Sequence, residues 1–182
     1  MDMRIGMGRM LARSRRSQRM RLIGIGAALL SWGLAAVLAP APVNAEDSAP
    51  IMLDAEAADI PAEVQGITAG RNSLTQMAAR DRRRKVCLGY AAVDPNHTLI
   101  LTADRPHLRI AVDSGGKDTT LLIRGPRGID CNDNRSRGYL DAAITARDWP
   151  AGTYQIWVGS FHQGEQITYR LRIFDPSLSA DD

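Results

Sequence analysis

The chain carries no Cys-x-x-Cys pair, no His-x-x-x-His spacing, no phosphate-cradling glycine loop and no dinucleotide fingerprint. The usual sequence signatures of thiol redox catalysis, histidine-based metal sites and nucleotide binding are therefore missing. An excess of positive charge is missing too, outside the first 45 residues. Of the 23 Lys and Arg in 182 residues, seven Arg fall within Met1 to Ala45 beside one Asp, a net of +6. The other 137 residues hold 16 basic and 19 acidic side chains, a net of −3. That acidic balance argues against a nucleic-acid binder, which needs a cationic surface to neutralise phosphates. One domain is the natural count for a body of this length.

The longest apolar run, Leu22 to Ala39, follows the Arg-rich end and precedes Pro40, Pro42 and the small-residue triplet Val43-Asn44-Ala45. Positive end, apolar helix, helix breaker and peptidase site are the ordered parts of a secretory signal, so a signal peptide is expected over 1–45 and a periplasmic or secreted body after it. Arg15-Arg16 suggests a twin-arginine leader, but Gln18 and Arg19 stand where that motif has apolar residues. The rival reading is a retained anchor. The run only reaches the lower limit for spanning hydrocarbon and is diluted by Gly24, Gly26, Ser31 and Gly33, so cleavage without stable membrane insertion is the expectation.

Both cysteines, Cys87 and Cys131, lie in the exported part. An even count in an oxidising compartment reads as one disulfide. The rival, a redox pair, lacks the close spacing such chemistry uses.

Glu46 to Glu63 is rich in Ala, Asp and Glu between Pro50 and Pro61, has no sustained period, and reads as a flexible linker or arm. Ser73 to Asp81 fits a short helix with Leu74, Met77 and Ala78 on one face and Ser73 as cap, and equally a frayed strand; Arg82 to Lys85 reads as a solvated loop. From Cys87 onward the period becomes two. Leu99 and Leu101, then Leu108, Ile110 and Val112, then Tyr154, Ile156 and Val158, then Tyr169, Leu171 and Ile173 each occupy alternate positions. Half-buried antiparallel strands give this pattern, because only one face of each meets the core. Gly, Pro, Asp and Ser clusters separate the runs. The expectation is an all-β fold, an antiparallel jelly-roll or Greek-key β-sandwich over 64–175, with a tail at 176–182.

Trp149-Pro150-Ala151-Gly152-Thr153-Tyr154 has the form of a tyrosine corner, in which a phenol hydroxyl bonds backbone a few residues upstream and pins a crossover between sheets. The alternative is an ordinary Pro-Gly turn before a strand.

Leu108 to Asp113, Asp118-Thr119-Thr120-Leu121-Leu122-Ile123, Gly125-Pro126-Arg127-Gly128, Cys131-Asn132-Asp133 and Ala151 to Ser160 together resemble the bacterial pre-peptidase C-terminal domain. The Asp-Thr-Thr-Leu and Ala-Gly-Thr-Tyr segments carry most of that resemblance. It implies a jelly-roll-like sandwich that accompanies secreted hydrolases as a non-catalytic module, with calcium bound in some members and extracellular polymers in relatives. This chain is expected to depart from that setting, as a stand-alone copy without an attached hydrolase.

Four constellations bear on chemistry. Asp113-Ser114-Gly115-Gly116 is similar to the nucleophile segment of trypsin-like serine peptidases, but Val112 replaces the preceding Gly and no suitable His context exists, so turn chemistry suffices. Asp130, Asn132, Asn134 and Asp141, with Asp133 between, follow a calcium-loop count that fails at Arg135, where Gly is needed; the choice lies between a calcium site and an Asx turn. His97, His107 and His162 read as structural residues at strand ends or turns, their tips in water. Trp157, Arg109, Arg170 and Arg172 fall away from the core face and offer a surface for anionic or sugar ligands, against the simpler reading of a solubilising outer sheet with Trp157 under the N-terminal arm. The sequence thus points to an exported non-enzymatic module binding an envelope protein or polysaccharide. The alternatives are an accessory of a secreted hydrolase, a peptidase-related protein or a structural envelope protein.

Overall fold

The computed structural model describes residues 49–54 and 62–178. The expected signal peptide, including its helix, lies outside the described residues, as do 46–48 and 55–61 of the arm and the last four residues of the tail. Eleven strands and one helical turn are described: β1 Ile51–Leu53, β2 Ala62–Ile67, β3 Asn72–Ser73, α1 Leu74–Met77, β4 Tyr90–Ala91, β5 His97–Leu101, β6 Arg105–Asp113, β7 Thr119–Gly125, β8 Gly128–Asn132, β9 Ala143–Trp149, β10 Gly152–Ser160 and β11 Thr168–Phe174.

They form two sheets. In the larger, the long β10 is flanked by β5 and β4 on one side and β7 on the other, with β1 beyond β5, β3 beyond β4 and β8 beyond β7; the smaller runs β2-β11-β6-β9. From β5 to β11 the chain passes repeatedly between the two, the connectivity of a jelly-roll-like sandwich. Every described pairing is antiparallel except β1 with β5.

The alternating positions meet between the sheets. Leu99, Leu101, Tyr154, Ile156 and Val158 from the larger sheet face Leu108, Ile110, Val112, Tyr169, Leu171 and Ile173 from the smaller, all buried in one apolar cluster. At roughly 1.5–3 kcal/mol for each large side chain removed from water, this cluster is the main source of stability. The chain moves from β9 in the smaller sheet to β10 in the larger at Trp149-Pro150-Ala151. There the Tyr154 hydroxyl donates to the Pro150 carbonyl at 2.8 Å, as the tyrosine-corner motif requires.

Part of the segment read as a loose arm joins the sheet: Ile51–Leu53 lies parallel to β5, with Ile51 opposite Leu99 and Leu53 opposite Leu101. Three residues are too few to show a period, but Leu53 is buried in the main core and Ile51 packs against it. The Ser73–Asp81 helix shrinks to the single turn Leu74–Met77, which has no side-chain cap; the Ser73 hydroxyl bonds Thr75 Oγ1 instead.

A second, smaller cluster lies on the outer face of the larger sheet. Leu74, Ala78, Cys87 and Ala91, from the segment before β5, pack on Leu122, Cys131 and Trp157, with Met77 and Ile129 at its border. β7 is therefore buried on both faces from Thr119 to Ile123, which explains why period two fails there. The expected disulfide is present between Cys87 and Cys131, with Cα atoms 5.5 Å apart. It fastens the covering segment to β8 rather than one sheet to the other.

Candidate functional site

The surface reading of four residues divides between opposite sides of the molecule. Trp157 is 3% exposed, beneath the covering segment; its indole donates to the Val93 carbonyl at 3.2 Å and the Arg124 guanidinium stands 5.4 Å from its ring centroid. It is thus covered by a segment C-terminal to the arm that the sequence reading invoked. Arg109, Arg170 and Arg172 belong to the smaller sheet. Arg170 bonds Asp113 at 2.8 Å and lies 3.9 Å from Glu63, which is also 3.9 Å from Arg172. These are cross-strand charge pairs on β2, β11 and β6, where register places Arg172 opposite Glu63 and Arg170 opposite Asp113. Their hydrogen bond, with that from the Gly115 amide, lowers the Asp113 pKa. Alternation located side chains relative to the core but could not tell which sheet each strand joins, so a Trp–Arg surface does not form.

The oxygen-rich segment is divided as well. Buried Asp130 pairs with Arg127 at 3.0 Å and Arg82 at 3.6 Å. Asn132 donates its amide to the Asn134 and Ala143 carbonyls and accepts from Lys85 Nζ, which also lies 3.6 Å from Asp133. Asp141 faces the other way and closes the Ser114 turn, accepting the Ser114 amide at 2.9 Å, the Gly116 amide at 3.1 Å and the Ser114 hydroxyl. Among the described residues, no three His, Cys, Asp or Glu side chains converge as metal ligands. The Asp130–Asp141 count describes a loop whose carboxylates already serve cations and amides. The Ser114 hydroxyl, donor to Asp141 and acceptor from the Lys117 amide, has an acid partner where a nucleophile needs an imidazole base.

His97 departs from its expected place at a wet strand end. It is 5% exposed, and its Nε2 shares a 2.9 Å hydrogen bond with the Tyr169 hydroxyl, joining β5 to β11 through the core. Burial lowers its pKa to about 4 and raises that of Tyr169.

A groove of about 390 Å³ opens where the outer edges of β8 and β9, neither laddered to a further described strand, approach each other. Asp81, Arg83 and Lys85 border it from the covering segment, Asp130 to Asn132 from β8, Arg135 from the following loop, Ala143 to Thr145 from β9 and Arg109 from β6. Among the described lining residues, four cations thus stand against two carboxylates. The basic turn is locally built: Asp81 Oδ1 accepts the amides of Arg83 and Lys85, both at 2.8 Å, and Arg80 donates to the Arg84 carbonyl. Two further contacts fix it to β8, the Arg82 amide on the Ile129 carbonyl at 2.9 Å and the disulfide that follows. Asp130 is meanwhile committed to Arg127, whose guanidinium lies 4.1 Å over the Trp149 ring. With Asp133 counted beside Lys85 and Arg127 beside Asp130, positive charge still outweighs negative among the described residues of the groove wall, a potential suited to an anionic group. The Arg82–Lys85 run is solvent-exposed, as its composition suggests; sequence reading missed that it is tethered beside β8, for which the nearby Cys87 was the available hint.

No family model matches the chain. An uncharacterized protein of Synechococcus elongatus is 26% identical over 147 residues, which cover 78% of this chain and 94% of that protein. Among solved structures, the periplasmic lysozyme inhibitor of g-type lysozyme from Aeromonas hydrophila is 14% identical at a TM-score of 0.35, covering 69% of this chain and 98% of its own. A surface-associated copper-binding protein of Methylomicrobium album BG8 is 11% identical at 0.35, covering 70% and 98%. The Salmonella Typhimurium inhibitor of g-type lysozyme is 14% identical at 0.33, covering 68% and 97%. Likeness at these levels assigns no role to this chain.

Proposed function

We propose that this protein is an exported, non-enzymatic binding module that captures an anionic group of an envelope partner in the groove between β8 and β9. One observation carries the reading. Arg83, Lys85, Arg109 and Arg135 border a single groove in a body whose overall charge is negative. Guanidinium groups favour carboxylate, sulfate or phosphate through paired N–H donors. Export is supported by the leader and by a disulfide that suits an oxidising compartment. A binding role is supported by the engagement of Ser114 with an acid and of His97 with a core phenol, which leaves neither placed as a nucleophile or base.

The test is a calorimetric titration of the 46–182 body with two polyanions, poly-glutamate and polygalacturonate, at low and high salt. Binding of at least one, weakened by salt and reduced at least tenfold in Arg83→Glu/Arg135→Glu, is the expected result. Failure of both polyanions to bind, or equal binding by the charge-reversed variant, would sink the proposal.

A further inference from the structure

One wall of the groove is a strand edge that pairs with no strand among the described residues. β9 pairs with β6 on one side, and its other side faces β8 with no ladder between them. In an antiparallel strand, backbone groups point alternately toward one neighbour and away from it. The Ala142 carbonyl accepts from the Val112 amide of β6, whereas the Ala143 carbonyl is turned outward and accepts the Asn132 side chain at 2.7 Å. The alternation therefore directs Ile144 toward β6 and the N–H and C=O of Thr145 into the groove. Thr145 is exposed and stands opposite Arg109 in the ladder. The facing edge of β8 is occupied, since the Ile129 carbonyl takes the Arg82 amide.

The described lining residues include no aromatic ring on which a sugar could stack. They do combine outward backbone donor and acceptor with four cationic side chains. Main-chain hydrogen bonds along an open edge are how a sheet accepts an extended peptide, and charge then selects its side chains. We infer that the groove takes an extended acidic segment of a protein partner, added as a strand to β9 at Thr145, its carboxylates meeting Arg83 and Arg135. This inference rests on the anionic-groove reading above and names its ligand class.

The experiment is fluorescence anisotropy with a labelled peptide of alternating Glu and Val, using the 46–182 body. Three comparisons accompany it: the same peptide N-methylated on alternate residues in each of the two registers, Thr145→Pro, and competition by polygalacturonate. Thr145→Pro removes a donor that β6 does not use, so its fold, checked by circular dichroism, is expected to persist. If the variant does not fold, the N-methylated peptides decide alone. At least tenfold weaker binding of one methylated register, and of Thr145→Pro, supports strand addition. Peptide binding unchanged by methylation in either register, with polygalacturonate competing equally, overturns strand addition and leaves the anionic groove intact. No binding of either polyanion would remove the groove reading and this inference together.

Discussion

The Tyr154 hydroxyl reaches back 2.8 Å to the carbonyl of Pro150 across the corner where the chain leaves one sheet for the other. The Tyr154 ring is buried against Trp149, their centroids 5.2 Å apart. A Cβ built on Gly125 would stand 2.2 Å from that ring, so the corner also fixes the glycine on β7. Removing the hydroxyl leaves a part-buried carbonyl without its donor. Tyr154→Phe is expected to cost about 1–2 kcal/mol, read from the urea midpoint at unchanged slope. An unchanged midpoint would show that water replaces the phenol there.

Gly125→Ala tests the same corner from the opposite side. The added methyl must displace a large buried ring in a packed core, and a loss of about 1–3 kcal/mol is expected. Thermal unfolding compared with Gly116→Ala separates packing from backbone strain. Gly116 has φ +84 but open space around its Cβ position, so that control carries strain without overlap.

His97 should make stability depend on acidity. The unfolded chain binds a proton as pH falls through 6.5, while the buried imidazole resists until about 4. Between those values the unfolded state holds more protons, so stability is greatest above 6.5 and declines toward pH 4, by about 3 kcal/mol at the full difference. Unfolding free energies measured from pH 7 to pH 4 should fall more steeply in the native protein than in His97→Gln, which has no imidazole to titrate. Parallel profiles would place the imidazole in water.

Reduction of Cys87–Cys131 should release the covering segment before the sandwich. The bond closes a separation of 44 residues, for which loop entropy gives a stabilisation of about 4 kcal/mol at most. In the 46–182 body only Trp149 and Trp157 remain, so Trp149→Phe leaves a single indole under the segment. Its emission should shift to the red on reduction while far-ultraviolet dichroism is retained. An unshifted emission would mean that the noncovalent contacts, apolar packing of Leu74 and Ala91 together with the Arg82–Ile129 hydrogen bond, hold the cover without the disulfide.

Calcium at millimolar concentration should leave the melting temperature unchanged. Asp130 is held by Arg127 and Arg82, and Asp141 by the Ser114 turn. A rise in Tm after chelator treatment and calcium addition would return the 130–141 segment to metal chemistry.

By itself the sequence determined the alternating strands, the tyrosine corner and the pairing of the two cysteines, because each depends on local spacing or on simple counting. Leu108, Ile110 and Val112 had to share a face whatever they packed against. Tertiary structure decided which sheet each strand enters, and with it the separation of Trp157 from Arg170 and Arg172. It also decided that His97 is dry, that Ile51–Leu53 completes an edge, and that Arg83, Lys85, Arg109 and Arg135 meet in one groove. Those outcomes depend on contacts between residues distant in the chain. Period-two patterning places a side chain above or below its own sheet but carries no information about which strand, or which covering segment, lies next to it.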